Sequence, residues 1–347
     1  MLNDQTRLLV KRVIISSGLE VTSVLSALGM FGGARGKGAI FTLHHVRPRP
    51  DAQFQPNDLL DVTPGFLDAA LTTLKNEGYA FIPLAEVPGR LAEKTGRPFA
   101  CFTLDDGYRD NAAFAADVFG RHQAPFTIFL NSGFVDRSCT MWWETLAAVL
   151  NHTTSVEFDF GAGRERLAAD TPAQKLSAFN RIAGHINTGD ERAAVAQLDD
   201  EATRLGIDPQ RIVAGLTMAE EELKALAANP LVSYGAHTVS HRGIARLAPE
   251  DAEAEIAGSI DAITAITGRA PITFAYPYGD RRSWAPREQQ TLRRHGIDIA
   301  LTTRPGTLRP EMAADMTALP RISLNGLYQK DRYVRALASG IPFRMTA

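Results

Sequence analysis

From residue 39 onward the chain alternates between short, continuous apolar runs and stretches whose apolar residues recur every three or four positions. Runs of the first kind read as strands buried on both faces, and stretches of the second kind as helices with one buried face. "AIFTLHHV" (residues 39–46) is the first such strand. Thr63 and Pro64 then open a helix, because proline suits the first helical position. Its apolar face is Phe66, Leu67, Leu71 and Leu74, and Gly78 ends it. "YAFIPL" (79–84) and "FACFTL" (99–104) read as the second and third strands, a helix over 112–121 follows, and "PFTIFLN" (125–131) comes next. Later, "LVSYGA" (231–236) reads as a strand and residues 249–267 as a helix carrying Ile256, Ile260 and Ile263 on one face. "PITFAYPYG", "IDIALTT" and "LPRISL" supply the last strands. Repeated strand–helix alternation builds a parallel α/β sheet or barrel, and in both forms functional groups collect at the carboxyl ends of the strands.

One interval breaks the rhythm. About 100 residues separate the strand ending at 131 from the one starting at 231, where a crossover needs only a few tens. The excess, residues 138–215, is largely helical by pattern and reads as a helical insertion into a domain spanning 39–347. Ahead of that domain, residues 8–31 are apolar, but Lys11, Arg12 and Glu20 interrupt them, so they lack the roughly 18 uncharged residues of a spanning helix. No unbroken apolar core with a small-residue cleavage site marks them as a signal peptide. They read instead as an amphipathic helix, packed on the domain or laid on a membrane surface, and residues 32–38 as a glycine-rich joint. The expected location is therefore cytoplasmic, with membrane association as the alternative. A net charge of −2 advertises no polyanionic partner, which argues against nucleic-acid binding. Two cysteines, Cys101 and Cys139, are too few for a disulfide framework. Nothing in the sequence speaks to oligomeric state.

The chemistry sits at predicted strand ends. Asp105 and Asp106 follow the strand 99–104, and two adjacent anions in a poorly solvated place need compensation. His237 and His241 follow the strand 231–236, four residues apart, a spacing with which one helical turn could aim both imidazoles at a common ion. Two imidazoles and one carboxylate delivered from separate strand ends form a site for a divalent cation, and that cation would compensate the crowded carboxylates. Either aspartate could be the ligand, leaving the other as a base.

"FTLDDGYRDN" (102–111) resembles the first motif of the polysaccharide deacetylase, or NodB-homology, family of metal-dependent carbohydrate esterases; "HTVSH" (237–241) resembles the second and "FAYPYGD" (274–280) the third. The resemblance covers residues 39–131 and 231–325 and implies a distorted (β/α)7 barrel. It implies Asp105 as general base and Asp106, His237 and His241 as ligands of a divalent metal, zinc first, with cobalt, nickel or iron(II) as alternatives. It also implies the backbone N–H of Tyr278 as an oxyanion donor, and Tyr108, Tyr276 and Pro277 as residues lining the substrate. The implied reaction removes acetyl groups from an N-acetylated saccharide. An O-acetyl esterase, a cyclic-amide hydrolase and a non-catalytic carbohydrate-binding relative are the alternatives. Two departures from the family stand out. Ala275 replaces the arginine that orients the base, and Arg321 is the expected substitute. The late Leu-x-His motif that supplies the general acid is missing, with His44 or His45, and of these His45, as the expected replacement. Trp143, opening the insertion, is a candidate for stacking on a sugar.

Overall fold

The computed structural model describes residues 4–30, 32–52 and 54–344. Seven parallel strands close into a barrel: β1 (Gly38–Leu43), β2 (Phe99–Leu104), β3 (Phe126–Leu130), β4 (Val232–Ala236), β5 (Thr273–Ala275), β6 (Ile299–Pro305) and β7 (Leu319–Ser323). Closure comes from β1, which pairs with β2 on one side and with β7 on the other, with Phe41 opposite Phe102 and opposite Ile322. The expected second strand contributes less than the sequence suggests. Only Ala80–Phe81 is extended, and it pairs alongside the first residues of β2 without entering the ring.

Side-chain alternation sorts the strands into two layers. Ile40, Cys101, Phe129, Ala275, Leu301 and Leu319 fill the barrel interior. Phe41, Phe102, Leu104, Ile128 and Phe274 point the other way, where Leu67 and Leu71 of one helix and Ile256, Ile260 and Ile263 of another cover them. Thr63 caps the helix Pro64–Asn76 by accepting the Phe66 N–H, and Pro64 sits in its first turn, as the sequence predicts.

The insertion carries its own core, built on Phe134, Trp142, Leu146, Phe158, Ile182 and Leu198. It is not wholly helical. Helices Trp142–His152, Pro172–Thr188, Glu191–Arg204 and Pro209–Leu216 are joined by an antiparallel hairpin of Ser155–Asp159 and Arg164–Ala168. Only Val156 and Phe158 alternate inward on the first strand, and most of the second is exposed, so the hairpin leaves a weak pattern in the sequence. At the N-terminus α1 (Asp4–Ala27) packs through Leu19 on Tyr333 and Ala336 of the helix Asp331–Ala338. Among the described residues no helix is long and apolar enough to cross a membrane.

Candidate active site

At the end of β2 the backbone sends the two adjacent carboxylates to different partners. Phe99 and Cys101 point into the barrel, and Asp105 keeps their parity. There it meets Arg321 of β7, with Nη1 donating to Oδ1 at 2.7 Å and Nη2 to Oδ2 at 2.8 Å. Both side chains are buried, and Arg321 is held further by the Thr302 carbonyl and the Thr103 hydroxyl. Burial alone would raise the Asp105 carboxyl. The Arg321 charge and its hydrogen bonds, together with His237 and His44, outweigh it and hold the group well below the usual carboxylate range.

Asp106 leaves the extended conformation at φ 72°, and Gly107 follows at φ 66°. Aspartate tolerates this left-handed region, and at Gly107 a Cβ would stand 2.7 Å from Leu130. The kink turns the Asp106 carboxylate toward two histidines: Oδ1 lies 3.6 Å from Nε2 of His237 and 3.5 Å from Nε2 of His241. These histidines do not ride on a helical turn. The segment after β4 is a loop with Thr238 at φ 67° and His241 at φ 58°. Glu255 braces it by accepting the N–H groups of Val239 and Ser240, and the Thr238 hydroxyl accepts the His241 N–H. The Asn131 amide donates to the His237 carbonyl. Ring orientation is set too, since Nδ1–H of His237 donates to the Ala275 carbonyl at 2.6 Å and leaves Nε2 as a lone-pair donor.

This donor set fits a divalent cation. Ligands about 2.1 Å from a shared tetrahedral ion lie about 3.4 Å apart, close to the separations found here. Oδ1 of Asp106 is buried without a hydrogen-bond partner among the described residues. Burial raises the Asp106 carboxyl well above its ordinary value, and the charges of Asp105 and Glu144 raise it further. Burial keeps both imidazoles neutral, as metal ligands must be, by lowering their pKa values. A carboxylate in this position favours a nearby positive charge, and two neutral imidazoles complete the cradle for one.

The adjacent histidines at the end of β1 part company. His45 is fully buried, with Nδ1 2.5 Å from Oδ2 of Asp110 and its ring packed on Tyr108 at 3.5 Å. His44 is the one that shares the electrostatic surroundings of Asp105, Arg321 and His237, and burial lowers its pKa to about 4.

The aromatic residues of the motifs are mostly structural. Tyr276 is buried, donates to the Thr317 carbonyl and stacks on Trp284, and Pro277 is buried beside it. Tyr108 is also fully buried, its hydroxyl accepting from Nε1 of Trp143. Tyr278 sits at φ 60° with its ring 4.9 Å from His241, and its hydroxyl bridges Trp142 and Glu191 of the insertion. Its amide N–H has no acceptor among the described residues. Trp143, expected to stack on a sugar, is 7 % exposed and lies 4.8 Å from His241. It lines, with Trp142, Asp199, His241 and Arg242, a cavity of about 390 Å³ shared by barrel and insertion. Sequence reasoning missed Glu255, Asn131 and the Ala275 carbonyl, because each acts on the histidine loop from a distant segment without a motif of its own.

The family profile described as polysaccharide deacetylase matches residues 92–300. No curated protein sequence matches the chain. Among solved structures, IcaB from Ammonifex degensii is similar with a TM-score of 0.56 at 17% identity, covering 88% of this chain and 97% of its own. The Streptococcus pyogenes deacetylase PplD is similar with a TM-score of 0.54 at 17% identity, covering 84% and 93%. A de-N-acetylase from Aggregatibacter actinomycetemcomitans shares the fold with a TM-score of 0.51 at 9% identity, covering 82% and 93%.

Proposed function

Because the chain belongs to the polysaccharide deacetylase family, hydrolases of carbohydrate C–N bonds, we propose that it removes N-acetyl groups from a saccharide with one divalent cation held by Asp106, His237 and His241. The observation that carries this reading is the unpartnered Oδ1 of Asp106 facing two lone-pair nitrogens, with the ionised Asp105–Arg321 pair beside it. When bound, such a cation supplies Lewis acidity to the amide carbonyl and lowers the pKa of a water. Zinc is the first choice for an imidazole–carboxylate set, with cobalt, nickel or iron(II) able to replace it.

The protein groups divide the remaining work. Asp105, kept ionised by Arg321, takes the proton from the attacking water, and the fork holds its carboxylate in place. The free N–H of Tyr278, fixed by its left-handed backbone, stabilises the oxyanion that develops on the acetyl oxygen. His44, which feels the Asp105 charge, passes on to the leaving amine the proton that Asp105 takes from the water; burial lowers its pKa to about 4, so it is neutral before the reaction and does not hold the proton. The cavity beside His241 has room for a sugar ring. Acetate release from N-acetylhexosamine oligomers, measured after chelation and after reloading with zinc, cobalt or nickel, tests the reading. Release that survives chelation, or Asp105→Asn together with His237→Ala, would overturn it.

A further inference from the structure

α1 carries two faces. One, with Leu19, Thr22 and Ser23, is buried against the C-terminal helix Asp331–Ala338. The opposite face repeats Leu9, Val13, Ile14, Val21 and Val24 at helical spacing, Leu28 follows just past its end, and all six are exposed, from 56 % for Val21 to 69 % for Leu28. Aliphatic residues scattered singly over a surface are ordinary, but a stripe along the length of one helix is not. The charges around it are one-sided. Glu20 is consumed by Arg332, Lys330 and the Tyr333 hydroxyl of the domain. Lys11 and Arg12 are exposed; among the described residues Lys11 makes no ion pair, and Arg12 acts on Asp58 and Tyr328 without a close contact. An apolar stripe flanked by exposed cations complements a surface that is apolar inside and anionic outside, and long basic side chains reach its headgroups while the aliphatic groups enter the acyl boundary.

We infer that α1 docks the protein on an anionic lipid surface, lying in the plane of the interface without crossing it. Flank and face act together: burial of the valines and leucines supplies the apolar part, and Lys11 and Arg12 supply the preference for anionic headgroups. The catalytic reading plays no part in this inference.

Flotation of the full chain with vesicles tests it. The wild type floats with vesicles of phosphatidylcholine and phosphatidylglycerol and much less with phosphatidylcholine alone. Val13→Glu with Val24→Glu lowers the bound fraction by more than about tenfold, without changing the melting temperature, because both side chains already face solvent. Lys11→Ala with Arg12→Ala abolishes the difference between the two vesicle types. A wild type that stays with the soluble fraction at low ionic strength overturns the inference. So does light scattering that shows a dimer broken by Val13→Glu with Val24→Glu in a protein that ignores vesicles, because the stripe then belongs to a second copy.

Discussion

Replacing Arg321 with methionine removes the only positive side chain bonded to Asp105 among the described residues and leaves the barrel interior filled. Two nitrogen–oxygen contacts of 2.7 and 2.8 Å place the charge centres about 4 Å apart. At an effective dielectric constant of about 20, opposite charges at that distance attract by about 4 kcal/mol, which corresponds to about 3 pKa units. Burial, which already pushes the Asp105 carboxyl upward, is then opposed only by His237 and His44. Asp105 moves from well below the usual carboxylate range up into it, and the base is partly protonated at pH values where the wild type is fully ionised. The assay is the pH dependence of kcat/KM for acetate release, with the same divalent ion present throughout. The acid limb of the variant rises by about 3 units. Stability falls as well, by about 3–5 kcal/mol, because a buried charge loses its partner. Combining Arg321→Met with Asp105→Asn restores much of that stability but none of the activity, since the stranded charge and the base disappear together. An Arg321→Met enzyme whose acid limb and unfolding free energy match the wild type would refute the assignment of the fork.

Other substitutions separate chemistry from scaffolding. His44→Ala lowers kcat by about 10²–10⁴-fold with little change in melting temperature, whereas His45→Ala unfolds more easily because Asp110 and Tyr108 lose a buried partner. Gly326→Ala destabilises strongly, seen as a fall in melting temperature, because its Cβ would stand 1.9 Å from the Asp58 carbonyl oxygen. The folded pKa of His44, about 4, lies below its ordinary value of 6.5, so the unfolded chain binds more protons between those limits. The His44 contribution to the stability of metal-free protein is therefore complete above about pH 6.5 and is lost as the pH falls toward 4, and His44→Gln removes that part of the decline in a melting-temperature series. Asp105, whose folded pKa is also depressed, loses its contribution in the same direction at still lower pH.

Much of this architecture is legible in the sequence because the physics behind it is local. Strand runs such as residues 99–104 are apolar on both faces, and their carboxyl ends are where Asp105 and His237 stand. The inward parity of Phe99, Cys101 and Asp105 follows from strand alternation alone. What escapes the sequence depends on tertiary context. The His237–His241 spacing suggests a helical turn, but two left-handed residues and the Glu255 brace make it a loop. Which of His44 and His45 faces the site is decided by Asp110 and Tyr108, both more than 60 residues away. Tyr276 carries a motif position yet belongs to the core, because Thr317 takes its hydroxyl. The hairpin Ser155–Asp159 and Arg164–Ala168 is half exposed, so its period is faint.

Metal content measured alongside turnover bears most directly on the central claim. Purified protein stripped with a chelator and titrated with zinc should take up one equivalent per chain. Acetate release should rise in proportion to occupancy, and Asp106→Ala and His237→Ala should abolish uptake while circular dichroism shows the barrel intact. Stoichiometric uptake that persists in both variants, or full acetate release from metal-free protein, would contradict the claim.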